Sequence, residues 1–171
     1  MDAAPARAAL ATHEVLNQPP PRADLDLYAV DRALAEAVRR EGGEWVDARC
    51  RALGEAVGSA AVLELGAEAN RHPPELRAFD RWGRRLDEVR FHPSWHLLMA
   101  LAMEHGVHDV AWAAGRPGGH VAHAALLAVF TQAEAGVMCP MTMTYAAVPA
   151  LRTTPQVAAP WLARLVGGRY D

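Results

Sequence analysis

Eight histidines and two cysteines are the residues whose chemistry could be put to work, and their spacing limits what that chemistry can be. His92 and His96 stand four apart, while His105/His108 and His120/His123 stand three apart; on a helix each spacing places two imidazoles on one face. A metal centre needs a third ligand, and neither an HExxH nor a Glu-x-x-His arrangement occurs. His92 also precedes the start of its helix, so no metal ligand is assigned. A metal-binding helical bundle stays open only if the histidines converge in space. Cys139 lies among Met138, Pro140 and Met141, apolar surroundings that predict a buried, inert thiol, as for Cys50. The stretch "GRPGGH", 115–120, has the glycines of a phosphate loop but neither the preceding strand nor the Lys, and reads as a helix-start turn. The carboxylates are scattered over helix surfaces rather than paired for acid and base work. No catalytic residue is assigned.

One segment stands apart from this dispersed chemistry. "CPMTMTYAAVPALR", 139–152, carries a thiol, two methionines, two threonines and a tyrosine, with no charge until Arg152. It reads as a buried helix interrupted by Pro149, whose missing N–H removes one backbone donor.

The elements that must position these residues follow from periodicity and punctuation. Asp31 is placed to cap a helix running to about Arg40, with Leu34 and Val38 on one face, and Gly42-Gly43 ends it. A second helix spans Glu44 to Val57 and buries Trp45, Cys50 and Leu53. Ser59 caps a third, to Arg71, which "HPPE" stops. Helical periodicity then fails over "FDRWGRRLDEVRFHP", where partial alternation predicts a structured loop or short hairpin. Pro93 suits the first turn of the next helix, which Gly106 ends. Gly119 to about Val137 is apolar nearly all round and predicts a central helix. After the "CPMTMTY" helix, Thr154-Pro155 begins a last one, containing Pro160. Residues 1–26, with three consecutive prolines in "NQPPPRADLDLY", predict an extended arm, leaving 27–171 as one helical domain.

Composition agrees with an all-α domain large enough for its own core. Of 171 residues 51% are hydrophobic, Ala dominates and aromatics are only 6%. Seventeen arginines, without a lysine, face twenty acids for a formal charge of −3, so no basic patch offers itself to nucleic acid. No uncharged run approaches the length of a membrane span, and two distant thiols without a secretory leader predict a cytoplasmic protein. The ending "VGGRYD", a diglycine and an aromatic without a polar tail, predicts that the polypeptide continues.

Beyond these general features, "NQPPP", "ANRHPPELRAFDRWGRRLDEVRFHPSWHLLM" and "CPMTMTYAAVPALR" resemble the N-terminal part of the AidB-like branch of the acyl-CoA dehydrogenase family, over about Asn17 to Asp171. The resemblance implies a longer subunit with a middle β-domain against which FAD lies and a C-terminal helical bundle. The family's catalytic glutamate, its flavin-binding stretch and the C-terminal region through which AidB-like proteins bind DNA would all lie outside this chain. It further implies an acyl-CoA-type substrate, a role in the adaptive response to alkylation, and a homo-oligomer, a tetramer in the family. By similarity of position the "CPMTMTYAA" helix would line the acyl pocket beside the flavin, through Met141, Thr142, Tyr145 and Ala146, and the alternative is that these four only pack the core. The chain by itself is expected to bind FAD weakly or not at all and to be inactive. A second reading is a stand-alone helical oligomerisation module, its Pro-rich arm and Arg-rich hairpin making subunit contacts.

Overall fold

The computed structural model describes residues 13, 14 and 16–170; half of the expected N-terminal arm, 1–12 and 15, lies outside the described residues. The described part of the arm, up to Ala23, carries neither helix nor strand. Among the described residues the chain forms eight helices and one two-stranded sheet.

Capping chemistry sets most of the boundaries. α1, Arg32–Glu41, begins where the Asp31 carboxylate accepts the Leu34 N–H at 3.0 Å and ends with Arg39 and Arg40 against its C-terminal dipole. α2, Glu44–Val57, carries Glu44 and Asp47 in its first turn. α3, Ala60–Arg71, starts at Ser59, whose hydroxyl accepts the Val62 N–H. The ambiguous stretch is the hairpin, β1 Glu75–Phe79 and β2 Arg85–Arg90, antiparallel, with Leu76 opposite Val89 and Arg77 opposite Glu88. At its tip the Asp80 carboxylate accepts the backbone N–H groups of Trp82 and Arg84. Pro93 opens α4, Pro93–Glu104, with His92 as N-cap. A single turn, α5 Val110–Ala113, precedes α6 Gly119–Thr131, α7 Met138–Arg152 and α8 Pro155–Leu165.

Two expectations need correction. The central apolar helix does not reach Val137 but ends at Thr131. In the turn that follows, the buried Glu134 carboxylate accepts the N–H groups of Gly136 and Val137, both at 2.7 Å, which is a better use of those donors than further helix ahead of α7. Cys139 is exposed, whereas Cys50 is buried, because only one side of α7 reaches the core: Met138, Met141 and Val148 point inward.

The core runs between α2 and α6, with Val46, Cys50, Leu53 and Val57 of one helix meeting Ala122, Leu126, Val129 and Phe130 of the other. Two glycines permit its tightest approaches. A Cβ on Gly58 would stand 1.8 Å from the Leu25 carbonyl oxygen, where the segment before α1 crosses α2, and one on Gly66 would stand 2.2 Å from that of Ala133. Leu27 and Tyr28 are buried in this crossing, and the Tyr28 hydroxyl donates to Asp47 at 2.7 Å. Burial, with that hydrogen bond, pushes the phenol well above its ordinary range. Asp47 is in turn held by Arg39 and Arg51, both at 2.9 Å, so one carboxylate ties the crossing to α1 and α2.

Candidate functional site

The α7 backbone has a defect that its neighbourhood repairs. Pro149 has no N–H, so the Tyr145 carbonyl lacks its helical donor. The Trp112 indole Nε1–H, from α5, donates to that carbonyl at 3.0 Å. An irregular helix is thereby fixed in register against α5, and the Arg152 guanidinium lies 5.2 Å from the Trp112 ring.

The Tyr145 side chain extends the same contact. Its ring stacks on His123 at 3.8 Å and 10°, with Trp112 at 5.2 Å, and its hydroxyl shares a 2.8 Å hydrogen bond with His120 Nδ1. The His123 Nδ1–H donates to the Val107 carbonyl at 2.7 Å. Burial lowers the His123 pKa from its ordinary value, against the hydrogen bond to Val107 and with smaller help from His120 and His108, and so favours the neutral ring. His120 and His123 thus hold one tyrosine from two sides and do not converge on a common point.

Two further histidines hold another segment. His96 Nδ1 shares a 2.6 Å hydrogen bond with the Tyr170 hydroxyl, and the buried His108 donates from Nε2 to the Gly167 carbonyl at 2.8 Å, so both hold the segment after α8. The 115–120 turn docks on α2, where Trp45 donates to the Pro117 carbonyl at 3.1 Å and Arg116 covers the indole at 4.2 Å.

The four residues singled out on α7 therefore separate. Met141 is buried in the core, and Tyr145 is half-buried on His123. Thr142 and Ala146, one turn apart, share an exposed, uncharged face with Cys139 and Met143. Met143, 67% exposed, was missed by the sequence reading, although its helical spacing from Cys139 and Ala146 carries the signal. That face is apolar and flexible at Met143, small at Ala146 and hydrogen-bonding at Thr142, a combination suited to a flat, mostly apolar group.

A family model described as the adaptive response protein AidB N-terminal domain matches residues 17–171. The chain belongs to the AidB N-terminal domain family. It is 48% identical to Escherichia coli K12 AidB, which carries an acyl-CoA dehydrogenase designation, over 94% of this chain and 30% of that protein. It is 30% identical to acyl-CoA dehydrogenase family member 11 of Caenorhabditis elegans over 54% of this chain and 15% of that one. Among solved structures, C. elegans ACDH-11 in complex with C11-CoA matches with a TM-score of 0.77 at 25% identity, over 98% of this chain and 30% of that one. The apo form of Bd2924 matches with a TM-score of 0.78 at 25% identity, over 86% of this chain and 31% of that one. The chain thus spans about a third or less of the length of these relatives. Its helical fold with a small hairpin is that of the N-terminal part of acyl-CoA dehydrogenases, and the stand-alone module is the less favoured reading. Among the described residues no helix is long and apolar enough to cross a membrane.

Proposed function

We propose that this domain serves as the N-terminal part of an AidB-like, FAD-dependent protein of the acyl-CoA dehydrogenase type, with α7 as one wall of the acyl and flavin pocket. The observation that carries the reading is the exposed, uncharged face of Thr142, Met143 and Ala146 in a chain of the AidB N-terminal family. The residues present fit one side of a flavin, offering a hydroxyl, a pliable thioether and a methyl without a charge to desolvate. When bound, FAD supplies the hydride acceptor for oxidation of an acyl thioester. Thr142 and Ala146 bind and orient, Tyr145 supports the helix from behind through His123, and no group on this face moves a proton.

The substrate class follows the C11-CoA bound by the ACDH-11 relative. Subunit contacts fall to the exposed hairpin, the role in the adaptive response follows the family model's description, and any DNA contact lies with regions outside this chain. A cytoplasmic setting accords with all of these.

The test uses protein expressed from the complete reading frame, with Thr142→Trp and Ala146→Trp as variants. The unaltered protein should carry flavin absorbance and bind a medium-chain acyl-CoA, and each variant should weaken acyl-CoA or flavin binding at least tenfold with unchanged helicity. A colourless protein sinks the flavoprotein reading, and unchanged affinities in both variants sink α7 as the pocket wall.

A further inference from the structure

We propose that Glu68, His72 and His92 form a binding site for a borderline divalent cation of the Zn2+ class at the stem of the hairpin. One ligand atom of each residue lies within 4.8 Å of the other two. Glu68 sits in the last turn of α3, His72 is that helix's C-cap and His92 is the N-cap of α4, so the site bridges the two ends of the hairpin insertion. The Glu68 carboxylate approaches His72 Nδ1 to 3.3 Å, and the two imidazoles stack at 4.5 Å and 14°.

Two imidazoles and one carboxylate are a donor set for Zn2+ and its first-row neighbours, whereas Mg2+ and Ca2+ favour oxygen alone. Bonds of about 2.0–2.1 Å at a tetrahedral centre place donors about 3.3 Å apart, so the site must close by roughly 1.5 Å and the rings must turn out of their stack. The side chains have room to do so. His72 is exposed, Glu68 and His92 are half-buried, and a cavity of about 220 Å3 lined by His72, Glu75, Arg90 and His92 opens beside them and admits water as a fourth ligand.

The contacts given up are replaceable ones. Arg71 now pairs with Glu68 but also reaches Glu64 at 3.7 Å, so it keeps a carboxylate when Glu68 turns to the ion. The Ser94 N–H, on a buried residue, donates to His92 Nδ1 over 3.3 Å, a long bond that is kept when His92 binds the ion through Nε2, and His72 Nδ1 contacts the Glu68 carbonyl at 3.0 Å. In exchange the ion ties the end of α3 to the start of α4 and clamps a hairpin whose strands pair chiefly with each other.

The test is a Zn2+ titration of the chain in a Cys139→Ser background, read by competition with a chromogenic chelator and by the imidazole Cε1–H signals in proton NMR. One equivalent should bind at pH 7.5, moving the His72 and His92 signals, with no response to Mg2+. His72→Asn and His92→Asn should each weaken binding at least tenfold; asparagine is itself a competent N-cap, so the second leaves the start of α4 capped. Absence of binding at pH 7.5, or binding undiminished in the double variant, overturns the proposal.

Discussion

Tyr145 shows how a single residue can be held by its backbone and its side chain at once. Its carbonyl is left without a helical donor by Pro149 and is served by the Trp112 indole, so Trp112→Phe leaves a half-buried acceptor unpaired, at a cost of about 1–3 kcal/mol. Pro149→Ala returns the missing N–H to that carbonyl. In the Pro149→Ala background the same Trp112→Phe change should therefore cost markedly less, a coupling that a double-mutant cycle by chemical denaturation would read directly. The two cysteines give a second residue-scale outcome. Burial first, then the nearby Asp47 carboxylate, push the Cys50 thiol up to about 12, and the residue is fully buried, whereas Cys139 is exposed. Iodoacetamide should modify Cys139 alone in the native protein and both thiols in denaturant, as mass spectrometry of the labelled peptides would show.

Among the elements, the caps were the legible part. Asp31, Ser59 and Pro93 marked helix starts because each supplies or spares a specific backbone N–H, a local matter written in the sequence. The far end of α6 was not legible, since apolar residues continue past Thr131 and only the tertiary placement of Glu134 over the next turn shows why the helix stops. The same holds for α7: its weak polarity suggested burial, but its outward face is uncharged as well, and nothing local tells an uncharged face toward a partner from one toward the core. The α6 histidine carries an element-scale consequence. His123 has a folded-state pKa below its ordinary 6.5, and burial, with a weaker contribution from Arg49, lowers His105 as well. Native burial therefore favours the neutral rings, and the stability they contribute is complete above pH 6.5 and declines as the pH falls below it, by at most about 1.4 kcal/mol per pH unit per ring. Denaturant titrations at pH 7.5 and 5.5 should show this loss, and His123→Gln should flatten it.

At the scale of the whole molecule, the domain leaves much apolar surface without an internal partner. Leu76, Phe79, Trp82 and Val89 of the hairpin, Leu97 of α4, Met143 of α7 and Trp161 of α8 are each more than half exposed. Single exposed apolar residues are ordinary, but the hairpin concentrates three of them on its two strands and Trp82 at its tip, and a two-stranded sheet on its own is marginally stable in water. The domain spans about a third or less of the relatives it matches. The chain of 171 residues by itself is thus expected to self-associate through the hairpin and the α7 face, and multi-angle light scattering should show mass rising with concentration. The double variant Leu76→Ser, Val89→Ser changes a facing pair of exposed side chains outside the helices, so it should lower the association without lowering helicity. A monodisperse monomer at high concentration would mean that these side chains are tolerated by water as they stand, and would remove the hairpin as a subunit contact.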